Sequence, residues 1–224
     1  MKSLVTIGLP FFNNVATLED SIKSIFAQTF DKWELLLVDD GSTDGSLQIA
    51  KNIKDPRVKI VSDGLNRGLV YRLNQIARMA NTKYVARMDA DDLMHPERLA
   101  SQIEYLEDNK ETDLVDCAVY SMNLDGHPEG IRGMSPISLY HGAALGKTLL
   151  IHATVVGKTD WFKENPYDPD FLRGEDYELW CRTYMKSKFA RIQKPLYFVR
   201  EGLVDINNYL LGAKTTRRVF RVYR

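Results

Sequence analysis

The segment Arg87-Met88-Asp89-Ala90-Asp91-Asp92 places three carboxylates directly after an apolar stretch of the chain. Side chains two positions apart in an extended segment share one face, so we expect Asp89 and Asp91 to converge and Asp92 to point elsewhere. Carboxylate oxygens are hard ligands that suit Mg²⁺ or Mn²⁺, and such an ion also binds the oxygens of a substrate diphosphate. The alternative is a solvated acidic turn that caps a helix starting at Pro96.

A second acidic turn, Val38-Asp39-Asp40-Gly41-Ser42, follows another apolar stretch. A carboxylate at a strand end can accept hydrogen bonds from the imide N–H of a base or from ribose hydroxyls. The alternative is ordinary turn chemistry, because Asp, Gly and Ser favour tight turns. We interpret the neighbouring Asp44-Gly45 as a turn only.

A third group of acidic residues opens an amphipathic helix in Arg173-Gly174-Glu175-Asp176-Tyr177-Glu178-Leu179-Trp180. Acidic residues at a helix start ordinarily complement the helix dipole. Among aromatic and apolar side chains, however, a carboxylate becomes partly desolvated, and its pKa rises as a general base requires. His152 is interpreted first as a core histidine. His152 and Trp180 are also the candidates for a contact with an acceptor or a phosphate.

The first half of the chain supplies the elements that would position these motifs. Runs of β-branched and aliphatic residues predict strands at 5–9, 34–38, 58–61 and 84–88. Apolar residues at helical spacing predict a helix after each strand. A capping-box-like pair, Thr17 and Asp20, precedes the first helix, and Pro96 stands at the first position of the last.

This βαβαβαβα pattern predicts an α/β fold with a mostly parallel, twisted sheet and helices on both faces. Such sheets bind ligands at the carboxyl ends of their strands, where the polar clusters 10–14, 39–45 and 89–92 lie. Beyond about residue 110 the pattern is less regular. There we predict a strand at 114–120, a Gly- and Pro-rich loop at 125–136, an apolar segment at 145–156, a helix at 176–186 and two short strands within 190–199.

Composition excludes several classes of protein. The chain of 224 residues has 30 basic and 30 acidic residues, so its formal net charge gives no general argument for nucleic-acid binding, and we expect no nucleic-acid partner. The two cysteines, Cys117 and Cys181, fit no metal-binding or redox spacing and are expected to be buried thiols. No run of eighteen apolar residues occurs, and the first residues read as a strand rather than a secretion signal. We therefore expect a cytoplasmic protein.

Together these motifs resemble the family 2 glycosyltransferases, which have the GT-A fold. The resemblance spans about residues 3–200 and is carried by Pro10-Phe11-Phe12-Asn13-Asn14, Val38-Asp39-Asp40-Gly41-Ser42-Thr43-Asp44, Asn66-Arg67-Gly68-Leu69, Ala86-Arg87-Met88-Asp89-Ala90-Asp91-Asp92, Pro96-Glu97-Arg98-Leu99 and Glu175-Asp176-Tyr177-Glu178-Leu179-Trp180. The resemblance implies transfer of a sugar from a nucleotide-diphosphate sugar, with a UDP-sugar favoured, to an acceptor hydroxyl. It further implies inversion at the sugar and assistance by Mn²⁺ or Mg²⁺.

The same resemblance implies roles for individual residues. Asp176 would be the catalytic base, with Glu175 as the second choice, and Asp91 would bind the metal. The nucleotide-sugar would contact Pro10, Phe11, Asn13, Asp40, Asn66, Arg67, Gly68, Arg87, Asp89 and Ala90. We expect one GT-A domain over 1–212, with a nucleotide-sugar-binding half at 1–110 and an acceptor-binding half at 111–212.

Residues 213–224 form a basic C-terminal tail, a candidate contact to the inner face of the cell membrane. The expected acceptor is a saccharide or a lipid-linked saccharide in cell-surface polysaccharide, lipopolysaccharide or glycoconjugate synthesis. Because many family members continue into membrane helices and this sequence stops at Arg224, processive synthesis is not expected. Two alternatives remain open: a non-catalytic nucleotide-sugar-binding protein of the same fold, and a sugar nucleotidyltransferase, which would require a Gly-rich basic phosphate loop after the first strand.

Overall fold

The computed structural model describes residues 2–137, 149–202 and 206–223. In its first part, strands and helices alternate as the sequence predicts, with slightly different bounds. They are β1 (Val5–Phe11), α1 (Leu18–Phe26), β2 (Trp33–Asp39), α2 (Ser46–Lys51), β3 (Val58–Ser62), α3 (Leu69–Met79) and β4 (Tyr84–Arg87). The four strands are parallel, in the spatial order β3-β2-β1-β4.

Both faces of this parallel sheet are covered. Along β2, Leu35 and Leu37 belong to one buried cluster, whereas Leu36 and Val38 belong to a second one. Successive strand side chains point to opposite faces, so the alternation shows that apolar residues fill the space on both sides of the sheet. The continuous apolar run of β2 therefore marks a strand in the middle of the molecule.

The second part extends the same sheet with mixed strand directions. Its elements are β5 (Leu93–Met94), α4 (Arg98–Asp108), β6 (Leu114–Met122), β7 (Pro128–Arg132), a 3₁₀ helix (His152–Thr154), β8 (Val156–Lys158), α5 (Thr159–Glu164), α6 (Glu175–Thr183), β9 (Phe189–Arg200) and α7 (Ile206–Tyr223). The strand order is β3-β2-β1-β4-β8-β6-β9-β5, and β7 pairs with β6. Strand β8 is antiparallel to both of its neighbours, whereas β6 and β9 are parallel.

Several sequence predictions are wrong in detail. The predicted loop at 125–136 contains β7, which pairs with β6 as a hairpin. The two short strands expected within 190–199 are the single strand β9, whose register against β6 shifts near Pro195, a residue without a backbone N–H. Helix α4 begins at Arg98 rather than at Pro96. Short elements such as β5 and α5 were not predicted at all.

The remaining predictions are confirmed or fall outside what the structure describes. Both thiols, Cys117 and Cys181, are buried. No helix within the described ranges is long and apolar enough to cross a bilayer. The first part of the predicted apolar segment, residues 145–148, lies outside the described residues. The predicted boundary between residues 212 and 213 falls inside α7, and the division into two halves and a tail stays a prediction.

The close packing around Gly157 in β8 allows a test of how the two parts of the sheet are joined. A Cβ built on Gly157 would lie 2.1 Å from Leu114 Cδ2 and 2.8 Å from the carbonyl oxygen of Asp113. We expect Gly157→Ala to lower the free energy of unfolding by about 1–3 kcal/mol, because the backbone of β8 must move away from β6. Urea denaturation measures this. The control is Gly130→Ala in β7, where a Cβ meets nothing within 4 Å and the change should stay within about 1 kcal/mol.

Candidate active site

A pocket of about 350 Å³ opens where β1, β2 and β4 end. Eight of the sequence-predicted site residues line it: Pro10, Phe11, Asp40, Asn66, Gly68, Asp89, Ala90 and Asp91. A larger groove of about 460 Å³ lies between α1 and α2, but its lining is mainly apolar and contains none of the predicted motifs. The polar groups converge in the first pocket, because parallel strands bring their carboxyl ends to one edge.

Asp40 is buried at the end of β2 and accepts three hydrogen bonds from the protein. The donors are the backbone N–H groups of Arg67 (2.8 Å) and Gly68 (3.0 Å) and Nε of Arg72 (2.8 Å). An ionised carboxylate has about four acceptor positions, so about one is left for a ligand. The side chain of Arg67 instead binds Asp63 at 2.7 Å, so Arg67 reaches the pocket through its backbone.

Arg72 was not predicted from the sequence, although it lines the pocket. Its side chain is fully buried and forms ion pairs with Asp40 and Asp63, and its Nη2 also donates to the carbonyl oxygen of Leu65. These contacts hold the 63–68 loop against the end of β2. The signal for Arg72 in the sequence was a basic residue directly beside the apolar residues of α3.

Asn13 does not belong to the pocket lining. Its Oδ1 accepts the backbone N–H of Thr43 at 2.8 Å, and its own N–H donates to Ser42 Oγ at 3.1 Å. Its backbone has a positive φ of 54°, a conformation that Asn tolerates better than most residues. The neighbouring Asn14 lines the pocket instead. In this structure Asn13 therefore stabilises the turn at 39–45.

The acidic turn differs from the extended segment that the sequence predicts. Strand β4 ends at Arg87, and residues 90–91 form a turn. Carboxylate oxygens of Asp89, Asp91 and Asp92 lie within 4.8 Å of one another, so the prediction that Asp92 points elsewhere is wrong. Burial and the neighbouring carboxylates raise the pKa of Asp92 to about 8, and burial and Asp89 raise the pKa of Asp91. Crowded hard oxygens of like charge fit a divalent cation, which would relieve their repulsion.

The hydroxyl groups of Thr17 and Ser21 hold the backbone of this turn, and the β9 residue Arg200 holds the side chain of Asp92. Ser21 Oγ donates to the carbonyl oxygens of Ala90 (2.8 Å) and Asp92 (2.7 Å), and Thr17 Oγ1 donates to that of Ala90 (2.9 Å). The predicted capping role of Thr17 is therefore wrong, since its hydroxyl serves the acidic turn and makes no cap hydrogen bond. The Arg200 backbone N–H donates to Asp92 at 2.8 Å.

Arg87 neutralises one of the three carboxylates. Its guanidinium is buried and binds Asp89 through two contacts of 2.8 Å. Its Nε has no hydrogen-bond partner among the described residues. The carbonyl oxygen of Arg87 accepts Nη2 of Arg98, a second fully buried cation that sequence reasoning missed. With Asp89 paired to Arg87, Asp91 and Asp92 are the carboxyl groups of the turn that have no cationic side chain bound to them among the described residues.

A second cluster consists of His152, Glu175 and Asp176, whose ligand atoms lie within 4.8 Å of one another. His152 Nε2 is 2.8 Å from the Tyr167 hydroxyl, and its Nδ1 is 3.8 Å from Glu175 Oε1. Burial raises the pKa of Glu175 to about 7, with a further contribution from Asp176. Burial also raises the pKa of Asp176 and lowers that of His152, which the nearby Arg87 cation lowers further. This cluster therefore offers carboxylates that take up protons more readily than usual, as proton transfer requires.

Trp180 lies behind this cluster rather than at its surface. The side chain is fully buried, with its ring edge-on to His152 at 6.0 Å between centroids and also packed against Trp161 and Phe189. An acceptor therefore has no access to Trp180 in this structure. The aromatic packing fixes His152 and the first turns of α6.

Arg87 connects the two clusters electrostatically. Its cation lowers the pKa of His152, and it opposes the effect of burial on the pKa of both Glu175 and Asp176. Asp89 contributes in turn to the raised pKa of Asp176. The strand-end pocket shares Asp89 and Asp91 with the acidic turn, and Arg87 lies within electrostatic range of the second cluster.

Comparison with known proteins identifies the family. A family model described as Glycosyl transferase family 2 matches residues 6–162. EpsE of Bacillus subtilis, named as a glycosyltransferase, is 31% identical, with 96% of this chain and 82% of EpsE covered. The glucosyltransferase WfaP of Escherichia coli, named for a UDP-Glc donor and a GlcNAc-diphosphoundecaprenol acceptor, is 26% identical, with 92% and 81% covered.

Solved structures show the same fold at low sequence identity. TarS of S. aureus in complex with UDP matches with a TM-score of 0.77 and 18% identity, over 100% of this chain and 66% of TarS. The mannosyltransferase PcManGT of Pyrobaculum calidifontis, in complex with GDP-Man and Mn²⁺, matches with a TM-score of 0.72 and 19% identity, over 99% and 64%. This chain therefore spans less than two thirds of the length of the TarS chain and of the PcManGT chain in these structures. With its GT-A fold, the chain belongs to glycosyl transferase family 2 and is a glycosyltransferase.

Proposed function

We propose that this protein is an inverting, metal-assisted glycosyltransferase that transfers a sugar from a UDP-sugar to an acceptor hydroxyl in cell-surface polysaccharide, lipopolysaccharide or glycoconjugate synthesis. The observation that carries the proposal is the pair of carboxylate clusters on either side of Arg87. One cluster borders the strand-end pocket and suits a diphosphate with its cation. The other has carboxylates with raised pKa values, which suit the removal of a proton from an acceptor.

The donor base would be recognised by Asp40. Its protein partners leave about one acceptor position, which suits a single ring N–H. Uracil, thymine and guanine each present a ring N–H next to a carbonyl group, whereas cytosine and adenine do not. The UDP bound to TarS and the GDP-Man bound to PcManGT both carry such a base. Asn66 and Gly68, in the pocket lining, support contacts with the rest of the nucleoside.

The diphosphate would lie beside the acidic turn. Asp91 is the most exposed carboxylate of this turn and is our choice for the metal ligand, with Asp92 beside it. When bound, Mn²⁺ or Mg²⁺ would neutralise charge that develops on the departing nucleoside diphosphate. Arg87 keeps Asp89 in place, because its buried guanidinium makes a two-point contact with the partly exposed Asp89 carboxylate. The hydroxyls of Thr17 and Ser21 keep the backbone of the turn in the same position.

The acceptor would be activated by Asp176. Inversion requires the acceptor oxygen to attack the anomeric carbon from the side opposite the diphosphate, and Asp176 would accept the proton of that hydroxyl as the new bond forms. Glu175 is directed toward His152, which in turn contacts Tyr167. Glu175 is therefore better suited to positioning His152, and Asp176 remains the better choice for the base.

The acceptor itself would be a saccharide or a lipid-linked saccharide bound by the half of the chain at 111–212. WfaP is named for a GlcNAc-diphosphoundecaprenol acceptor, which supports a lipid-linked saccharide as the acceptor of this protein. Contact of the basic tail 213–224 with a membrane belongs to this proposal, since Lys214, Arg217, Arg218, Arg221 and Arg224 occur there without an acidic residue.

The first test is transfer from labelled donors. We expect transfer from UDP-sugars with Mn²⁺ or Mg²⁺ and its loss in excess EDTA, with GDP- and dTDP-sugars as comparison donors. Asp91→Asn should lower the transfer rate at least about 100-fold, since charge on the departing diphosphate is then poorly stabilised. The matched control is Asp125→Asn at the exposed β6–β7 turn. Full turnover in EDTA would exclude a metal requirement, and donor binding without transfer would favour a non-catalytic protein.

The second test concerns the base. We expect Asp176→Asn to lower the transfer rate by about 10²–10⁴-fold with nearly unchanged donor affinity, because the amide cannot accept the proton. Single-turnover rates and calorimetric titration with UDP measure the two quantities. Asp160→Asn, at an exposed carboxylate of α5, is the control. If Glu175→Gln abolishes transfer while Asp176→Asn does not, the base is Glu175, and if both variants remain active the mechanism is wrong.

The third test uses pH. A carboxyl whose pKa rises on folding, as Glu175 does from 4.5 to about 7, makes the folded state less stable as pH increases through this range. The stability difference between Glu175→Gln and the unmodified protein should therefore shift in favour of the variant by up to about 3 kcal/mol between pH 4 and pH 8. Urea denaturation at several pH values measures the shift. Glu164→Gln, at an exposed site, should show no such shift with pH. If the stability difference for Glu175→Gln does not change with pH, Glu175 does not have a raised pKa in the folded state.

A further inference from the structure

The C-terminal helix α7 (Ile206–Tyr223) has two different faces. Thr215 and Val219, one helical turn apart, are buried. Other side chains of the helix are exposed: Ile206 (71%), Tyr209 (68%), Leu210 (52%), Leu211 (43%), Phe220 (38%) and Val222 (58%). Because positions three and four apart share a side of a helix, Ile206, Tyr209 and Leu210 lie on the same stripe as Arg217 and Arg221.

The inner face packs on the segment that carries the proposed base. Val219 packs with Phe171 and Cys181, and the guanidinium of Arg218 lies 4.3 Å from the Phe171 ring centroid. A Cβ added to Gly174, the residue before Glu175, would lie 3.1 Å from Thr215 Cγ2. Helix α7 is therefore fixed beside the first turn of α6, on the acceptor side of the site.

The outer face combines cations with large apolar side chains. Lys214, Arg217 and Arg221 are exposed, and none has an ion pair within the part of the chain that the structure describes. The sequence from 206 to 224 contains no acidic residue. Leu172, which is 69% exposed, follows Phe171, a residue that packs on this helix, and adds apolar surface near it.

This combination selects one kind of partner. The cations favour a negatively charged surface, which an anionic bilayer and a nucleic acid both provide. Apolar side chains of the outer face, such as Ile206, Leu210 and Phe220, gain by entering the boundary between lipid headgroups and acyl chains, whereas a nucleic acid offers them no comparable environment. Charge and apolar surface together therefore match an anionic lipid bilayer.

We propose that the outer face of α7 rests on an anionic membrane surface and that the acceptor is a membrane-borne amphiphile that reaches Asp176 from this side. The inference rests on the proposed function and extends it, since it chooses the membrane-borne acceptor over the free saccharide and identifies the helix face that meets the membrane. Contact through Gly174 and Thr215 places the membrane-facing helix next to the base. An acceptor head group at the membrane surface would then lie near the site without leaving the bilayer.

The test is flotation of the full chain with vesicles of phosphatidylcholine alone or with phosphatidylglycerol added. We expect binding to the anionic vesicles, weak binding to the neutral ones, and weaker binding at high salt. Each cation near an anionic surface contributes about fivefold to binding, so Arg217→Glu/Arg221→Glu should weaken it by at least about 25-fold. Lys32→Glu/Lys51→Glu, which makes the same charge change at exposed sites far along the chain, should float like the unmodified protein.

A separate titration with UDP and Mn²⁺ distinguishes this inference from the proposed function. Flotation without UDP binding would contradict the proposed transfer from a UDP-sugar and leave the membrane contact standing. UDP binding without flotation would overturn the membrane inference, together with the proposed contact of the tail, and leave the proposed transfer reaction standing. Equal flotation with neutral and anionic vesicles, or unchanged flotation of the Arg217→Glu/Arg221→Glu variant, would also overturn the membrane inference. Circular dichroism of both charge variants establishes that they are folded.

Discussion

The candidate site depends on the electrostatic attraction between the buried guanidinium of Arg87 and the carboxylates around it. Five carboxylates gather at this edge of the sheet: Asp89, Asp91, Asp92, Glu175 and Asp176. A cation among them reduces their mutual repulsion, and burial strengthens its effect because the local dielectric constant is low. By pairing with Asp89, it leaves Asp91 and Asp92 for the divalent cation that we propose. The same cation favours a neutral His152.

The mixed sheet explains how distant parts of the chain meet at Arg87. Strand β4 delivers Arg87 and the acidic turn, and β8 pairs antiparallel with β4. The backbone N–H of Arg87 donates to the carbonyl oxygen of Val155 at 2.9 Å, so the 3₁₀ helix with His152 lies directly beside it. The start of this 3₁₀ helix is held by Asp116, which accepts the Ile151 N–H at 2.7 Å. The antiparallel β8 thus places His152 beside the strand that carries Arg87 and the acidic turn.

The sequence predicts the features that depend on local patterns. Alternating strands and helices place Asp40 and Asp89 at the ends of β2 and β4, the two strands that flank β1, and both residues line the same pocket. Features that depend on tertiary packing were not predictable in this way. Arg72 and Arg98 look like ordinary helix-surface cations in the sequence, but both are fully buried because carboxylates or carbonyl groups of other segments bind them.

The direction in which a side chain points is a second feature that local sequence patterns do not determine. The resemblance implies a nucleotide-sugar contact for Asn13, yet Asn13 has a positive φ and its side chain binds Thr43, whereas Asn14 lines the pocket. Trp180 was a candidate acceptor contact, but the position of α6 against Trp161 and Phe189 buries it. The packing of α7 on residues 171–181 also depends on contacts between segments far apart in the chain.

The central claim is that the acidic turn and Asp176 act on opposite faces of the same anomeric carbon. Proton NMR of the first product, recorded before any equilibration, measures this directly, because the anomeric coupling constant reports the configuration of the new bond. With an α-linked UDP-sugar as donor, we expect a β-linked product. An α-linked product would contradict the proposed placement of donor and base.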